Sequence, residues 1–161
     1  MIVHIHVPKT GGTSVRVATP HITHWGHKYA IREPSPYREY ITTVRDPLAR
    51  FASACGHLGI SPEDADWDHL FFLPQINWLN GAERLRQPDV LWVGNTETLS
   101  QDWLRLTIGG DLPRLNAHDH GDFREWEPVL RERYAADYKM LEELWMAAPV
   151  FETASTTGAA S

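Results

Sequence analysis

A single cysteine, Cys55, stands among 161 residues. No disulfide can close within the chain, and no zinc site can be built on cysteines. No apolar run approaches the roughly 20 residues needed to cross a bilayer. The opening MIVHIHVPKTGG lacks the basic-then-apolar order of a secretion signal. These absences predict a chain that touches no membrane, in a reducing, cytoplasmic setting. Positive charge is short as well: 15 Lys and Arg against 21 Asp and Glu leave a net charge of -6, which speaks against nucleic-acid binding. No internal repeat and no linker interrupt the sequence. What remains is globular in kind, 42% hydrophobic and 22% charged with seven Trp, and fits one domain over residues 1–150. The small, polar stretch 151–161 reads as a disordered tail.

The charge is unevenly spread. Residues 1–60 hold 7 Lys and Arg against 3 Asp and Glu, and six of the nine His. A cationic N-terminal third in an acidic protein points to a confined anion site, with chance clustering as the plain alternative. The element pattern supports such a site. Met1 to Val7 is a buried strand ended by Pro8, and Gly11-Gly12 turns into the helix-compatible SVRVA. A short second strand falls within His21 to Ala30, a loop over 31–38, and a third strand over Tyr40 to Val44. Asp46 and Pro47 cap and open a helix. Ser61-Pro62-Glu63-Asp64 predicts another, and 67–79 reads as mostly helical with a break at Pro74. Val90 to Val93 is a fourth strand ended by Gly94, followed by a helix over Thr96 to Leu106, a loop over 107–124, and a long helix from Trp126 to Trp145. Strands alternating with helices predict an α/β domain with a mainly parallel sheet flanked by helices.

Three constellations carry chemistry. Pro8-Lys9-Thr10-Gly11-Gly12-Thr13-Ser14 follows a strand and opens a helix. Its glycines turn the backbone tightly, Lys9 supplies a charge, and Thr10, Thr13 and Ser14 supply hydroxyls: an anion cradle for phosphate or sulfate. It is not a Walker loop, in which the Lys follows the glycines. In Arg45-Asp46-Pro47-Leu48-Ala49-Arg50-Phe51-Ala52-Ser53, Arg45 ends a strand on the edge where open α/β sheets bind ligands, and Ser53 lies about two helical turns on. Arg45 could equally pair with a surface carboxylate, and Asp46 reads as a cap rather than an acid. In His21-x-x-His24-x-x-His27, metal binding requires a helix, whereas the segment reads as extended around Gly26; satisfied structural histidines are the alternative for His21 and His24. His4 and His6 read as sheet-face packing residues.

The first two segments together resemble the sulfotransferases that use 3′-phosphoadenosine 5′-phosphosulfate (PAPS), closest to the heparan and chondroitin sulfate O-sulfotransferase branch. FLPQINWLNG, VGNTETLSQDWLRL, LPRLNAH and YAADYKMLEELW are similar to later family segments, so the likeness runs from about residue 2 to about residue 146. The resemblance implies the P-loop-like sulfotransferase fold and PAPS as the sulfuryl donor. It implies that Lys9, Thr10, Gly11, Gly12, Thr13 and Ser14 hold the 5′-phosphosulfate. Arg45 and Ser53 then hold the 3′-phosphate, with Asn116 and His118 near the nucleotide. It implies Lys9 and His27 as the catalytic pair, His27 of Trp25-Gly26-His27 being the base that takes the acceptor proton. His24, Gln75 and Asn77 are expected toward a carbohydrate or small-molecule acceptor, and no metal is required. Two other classes stay open: a nucleotide-dependent phosphotransferase, and a non-catalytic module that binds a nucleotide or a sulfated glycan.

Overall fold

The computed structural model describes residues 1–27, 29–31, 34–103, 112–113 and 121–146. Four strands, β1 (Ile2–Ile5), β2 (Thr23–Trp25), β3 (Glu39–Val44) and β4 (Val90–Asn95), form one sheet in the order β2-β1-β3-β4. Every pairing is parallel, with His4 opposite His24, Ile5 opposite Thr42 and Val44 opposite Asn95. A parallel sheet needs cover on both faces, and this one has it. On one face Val3, Ile5, Tyr40 and Val44 bury against Trp78, Leu79, Leu85, Met140 and Leu141. These come from α3 (Ile76–Leu79), α4 (Ala82–Leu85) and α7 (Ala135–Met146). On the other face Ile41 and Trp92 meet Val15 and Ala18 of α1 (Gly12–Ala18), and Leu99 and Trp103 of α5 (Leu99–Trp103). A third cluster builds around Phe51 of α2 (Pro47–Leu58), with Phe72, Tyr134 and Leu130 of α6 (Glu127–Arg133). No helix among the described residues is long and apolar enough to cross a membrane.

Asp46 caps α2 through Oδ1, which accepts from Ala49 N at 2.9 Å, and Pro47 stands first in the helix, as the sequence predicts. Elsewhere tertiary contacts override local preference. The helix expected from Ser61 is a single 3-10 turn, Pro62–Asp64, and of 67–79 only Ile76–Leu79 is helical. Side chains claim the carbonyls that a helix would have used. Tyr134 Oη donates to Phe72 O at 2.6 Å, and Arg50 Nη1 to Leu73 O at 2.8 Å, while Trp67 stacks on Phe51 at 5.4 Å. Strand β4 runs through Gly94 to Asn95 instead of ending at Gly94, because both residues pair with Thr43 and Val44 of β3, and the Trp92 ring occupies the space a side chain at 94 would need. The helix expected over 126–145 is broken at Tyr134 into α6 and α7. After β4 a 3-10 turn, Thr96–Thr98, precedes α5, and residues 104–106 of the expected helix lie outside the described residues. So do residues 151–161.

Candidate functional site

Strands β1 and β3 are neighbours, but the chain leaves β1 toward β2 on one side and β3 toward β4 on the other. The connections diverge there, opening a crevice at the C-terminal strand ends. Lys9 follows β1 and Arg45 follows β3 directly, so both cations stand on this edge. Their proximity registers electrostatically: burial, and then the Arg45 charge, hold the Lys9 ammonium below its ordinary value.

The turn after β1 is left-handed twice, at Lys9 (φ 64°) and at Gly11 (φ 80°). Glycine adopts this freely; lysine does so at a cost, so the surrounding structure must impose it. The impositions are visible. The fully buried Thr10 hydroxyl donates to Val7 O at 2.9 Å and lies 2.9 Å from Thr43 Oγ1. Thr96 Oγ1 sits 2.8 Å from Thr10 O and 2.9 Å from Val44 O, one proton between two carbonyls. Arg50 Nε donates to Pro8 O at 2.9 Å. The carbonyls of Val7, Pro8 and Thr10 are thus satisfied from within the protein, the polarity that a cradle of N–H groups for an anion needs. One expectation shifts: the Thr10 hydroxyl is a strut, leaving the half-buried Thr13 and the buried Ser14 as the hydroxyl side chains around the glycines. Gly12 is needed for a different reason. A Cβ there would lie 2.2 Å from Cδ2 of His6, whose ring occupies that space.

His6 leads to His27. Their rings meet at 4.6 Å between centroids with planes 67° apart. His27 also faces Phe71 at 6.2 Å, and the Lys9 ammonium stands 5.8 Å from the centroid of that same ring. Trp78 Nε1 donates to His27 O at 2.8 Å and fixes the backbone behind it. His27 Nε2 is buried without a hydrogen-bond partner, and burial, followed by the Arg50 charge, lowers the His27 pKa below the usual histidine value. Near neutral pH the ring is therefore a neutral imidazole that shares the Phe71 ring with the Lys9 ammonium.

His24 is engaged otherwise. Its Nε2 must donate to Thr19 O at 2.8 Å, since a carbonyl only accepts. In a neutral pair its Nδ1 then accepts from His4 Nδ1 at 3.0 Å. His24 thus ties β2 and the end of α1 to β1, which corrects its expected place beside an acceptor. His4 is fully buried, and its pKa falls to about 3 through burial and then the charges of His6 and His24. His21 is exposed. Among the described residues, no three His, Cys, Asp or Glu side chains group to hold a metal ion.

Gln75 is a second correction. It is fully buried, its Oε1 accepts from Arg45 N at 3.0 Å, and its Nε2 donates to Arg45 O at 2.8 Å. It fixes the Arg45 backbone and has no surface for an acceptor. Asn77 is exposed on α3, and Ser53 lies on the buried side of α2. Asn116 and His118 fall outside the described residues. Arg45 Nε pairs with Glu97 Oε1 at 3.0 Å, beside a cleft of about 500 Å³ lined also by Asp46, Tyr138, Glu142 and Trp145. Three residues of the site, His6, Phe71 and Arg50, were not picked out from the sequence. His6 left a trace there in the His4-x-His6 alternation, which puts both rings on one side of the strand line, and Arg50 stood within the Arg45-to-Ser53 segment with no role of its own. No family model, curated protein or solved structure matches the chain.

Proposed function

We propose that the chain transfers a sulfuryl group from PAPS to a hydroxyl on a carbohydrate or small-molecule acceptor. The observation that carries this reading is the convergence of Lys9 and His27 on the Phe71 ring, at the end of the strand that leads into a strained, anion-ready turn. The residues fit a polyanionic donor. Lys9 and Arg45 supply charge at neighbouring strand ends, and the inward-bound carbonyls leave the turn to an anion. The Arg45–Glu97 pair is no obstacle. Its carboxylate is 40% exposed, and a pair that open is worth only about 0–1 kcal/mol, so a phosphate dianion can exchange with it.

PAPS supplies an activated sulfuryl group. In the transfer, the acceptor oxygen forms a bond to sulfur as the bond from sulfur to the bridging phosphate oxygen breaks. The acceptor proton goes to the His27 imidazole, and Lys9 steadies the charge left on the bridging oxygen. Arg45, with Ser53, holds the 3′-phosphate. The inwardly committed Thr10 and Gln75 keep the turn and Arg45 in place.

Calorimetry with 3′-phosphoadenosine 5′-phosphate (PAP), adenosine 5′-phosphate and ATP tests the reading. PAP binds best. Arg45→Ala weakens PAP by about 2–4 kcal/mol and adenosine 5′-phosphate far less, because only the first carries the 3′-phosphate. Glu97→Gln strengthens PAP alone. Tighter binding of ATP than of PAP supports phosphoryl transfer instead, and PAP binding without turnover on any hydroxyl acceptor supports a binding module.

A further inference from the structure

Arg50 takes no part in the chemistry assigned above, yet it is 2% exposed and central to the site. Burying a guanidinium is costly unless its donors are satisfied and its charge is answered. Its donors are only partly satisfied. Nε reaches Pro8 O at 2.9 Å and Nη1 reaches Leu73 O at 2.8 Å, whereas Nη2 is buried with no partner. The carboxylate that acts on it, Asp137 of α7, has Oδ2 taken by Gln75 N at 2.8 Å and Oδ1 by Ile76 N at 2.9 Å. A surface stabiliser would not be built this way; the position leaves positive charge beneath the turn incompletely neutralised.

The three segments Arg50 touches are those that carry the working groups. Pro8 precedes Lys9 and its left-handed backbone. Leu73 ends the segment carrying Phe71, the ring between Lys9 and His27. The guanidinium also lies 5.9 Å over the ring of Trp78, whose Nε1 holds His27 O. We propose that Arg50 is the positioning residue of this site, holding the Lys9 turn, Phe71 and His27 in one arrangement from below and imposing its charge on His27. This rests on His27 acting as the base. The groups that bear on the His27 ring fit the proposal: His6 just past β1 meets it, Arg50 of α2 acts on it through its charge, Phe71 is uncharged, and Lys9 stands against that same Phe71 ring. None of these is a carboxylate, so among the described residues no negative charge beside the ring stabilises an imidazolium. His57 and His69, also packed on Phe71, add no negative charge.

The test uses two variants of the whole chain and two readouts. His27 is titrated by NMR through its ring Cε1–H signal, assigned by its loss in His27→Asn, and PAP binding is measured by calorimetry. Arg50→Gln removes the charge, so the His27 midpoint rises by about half a pH unit or more. Arg50→Lys keeps the charge but cannot serve Pro8 O and Leu73 O as a planar fork does. Its His27 midpoint stays at the wild-type value, while PAP binding falls by about tenfold or more. An unchanged midpoint in folded Arg50→Gln overturns the proposal, as does wild-type PAP binding by Arg50→Lys. The second result decides alone if Arg50→Gln does not fold. Wild-type protein that fails to bind PAP at all sinks sulfuryl transfer instead, and the two titrations still judge the hold of Arg50 on His27.

Discussion

Gly12→Ala is a single added methyl with two opposed effects. In the first turn of α1, alanine is favoured over glycine by roughly 0.5–1 kcal/mol, because it loses less backbone freedom on folding. Against that, the new Cβ would stand 2.2 Å from His6 Cδ2, 2.7 Å from Nε2 and 2.9 Å from Cγ. The ring has little room to retreat, stacked at 5.7 Å on buried His4 and set edgewise on His27 at 4.6 Å. Overpacking of this kind costs about 1–3 kcal/mol, and three close contacts on a pinned ring put it near the upper end. The net is a loss of about 2 kcal/mol, or about 4–8 °C in Tm for a chain of this size. In a His6→Ala background the obstacle is gone, and the same substitution becomes stabilising by about 0.5–1 kcal/mol. Urea and thermal unfolding of the four proteins in the cycle give the coupling directly, about 2–3 kcal/mol. Equal cost in both backgrounds refutes the claim that His6 dictates glycine at this position.

Two further outcomes follow from the histidines. Folded His4 titrates near 3 against 6.5 unfolded, so below pH 6.5 the unfolded chain binds more protons. Its stabilisation is complete above 6.5 and is lost as pH falls from there toward 3; at pH 5 about 2 kcal/mol is gone, readable as a lower urea midpoint that His4→Gln flattens. His27→Ala lowers turnover by about 10²–10⁴-fold with little change in PAP affinity, while Lys9→Ala harms both. The acidic limb of the wild-type rate profile lies below the usual histidine range, the direction in which burial and Arg50 move His27.

The parts legible in advance were those set by local chemistry. Pro8, the glycines and the β-branched runs 2–5 and 40–44 state strand, turn and helix in one dimension, and Asp46-Pro47 states a helix start. Lys9 and Arg45 could be placed on one edge because Arg45 directly follows a strand and Lys9 comes within four residues of the end of another, whatever the rest of the chain does. What stayed hidden depends on packing between distant segments. Gln75 is a plausible sugar contact as an isolated amide; only the fold brings it against Arg45, thirty residues back, and saturates both its ends. That His24 is tied up within the fold shows only through the β1–β2 register that sets it opposite His4. The stretch 62–75 has helical composition, yet aromatic packing on Phe51 and the claims of Arg50 and Tyr134 on its carbonyls outweigh propensity.

Cys55 lies one turn beyond Arg50 on the same helix, 1% exposed, its thiol pushed up to about 11 mainly by burial. While α2 is seated, that sulfur is neither ionised nor reachable, so it is silent toward oxidants and alkylating reagents. It becomes reactive when the helix lifts, and the same motion withdraws the guanidinium from Pro8 and Leu73. The labelling rate of the chain's single thiol in the native protein therefore sets an upper limit on how often the floor beneath the Lys9 turn opens, with no need for a ligand or a reaction.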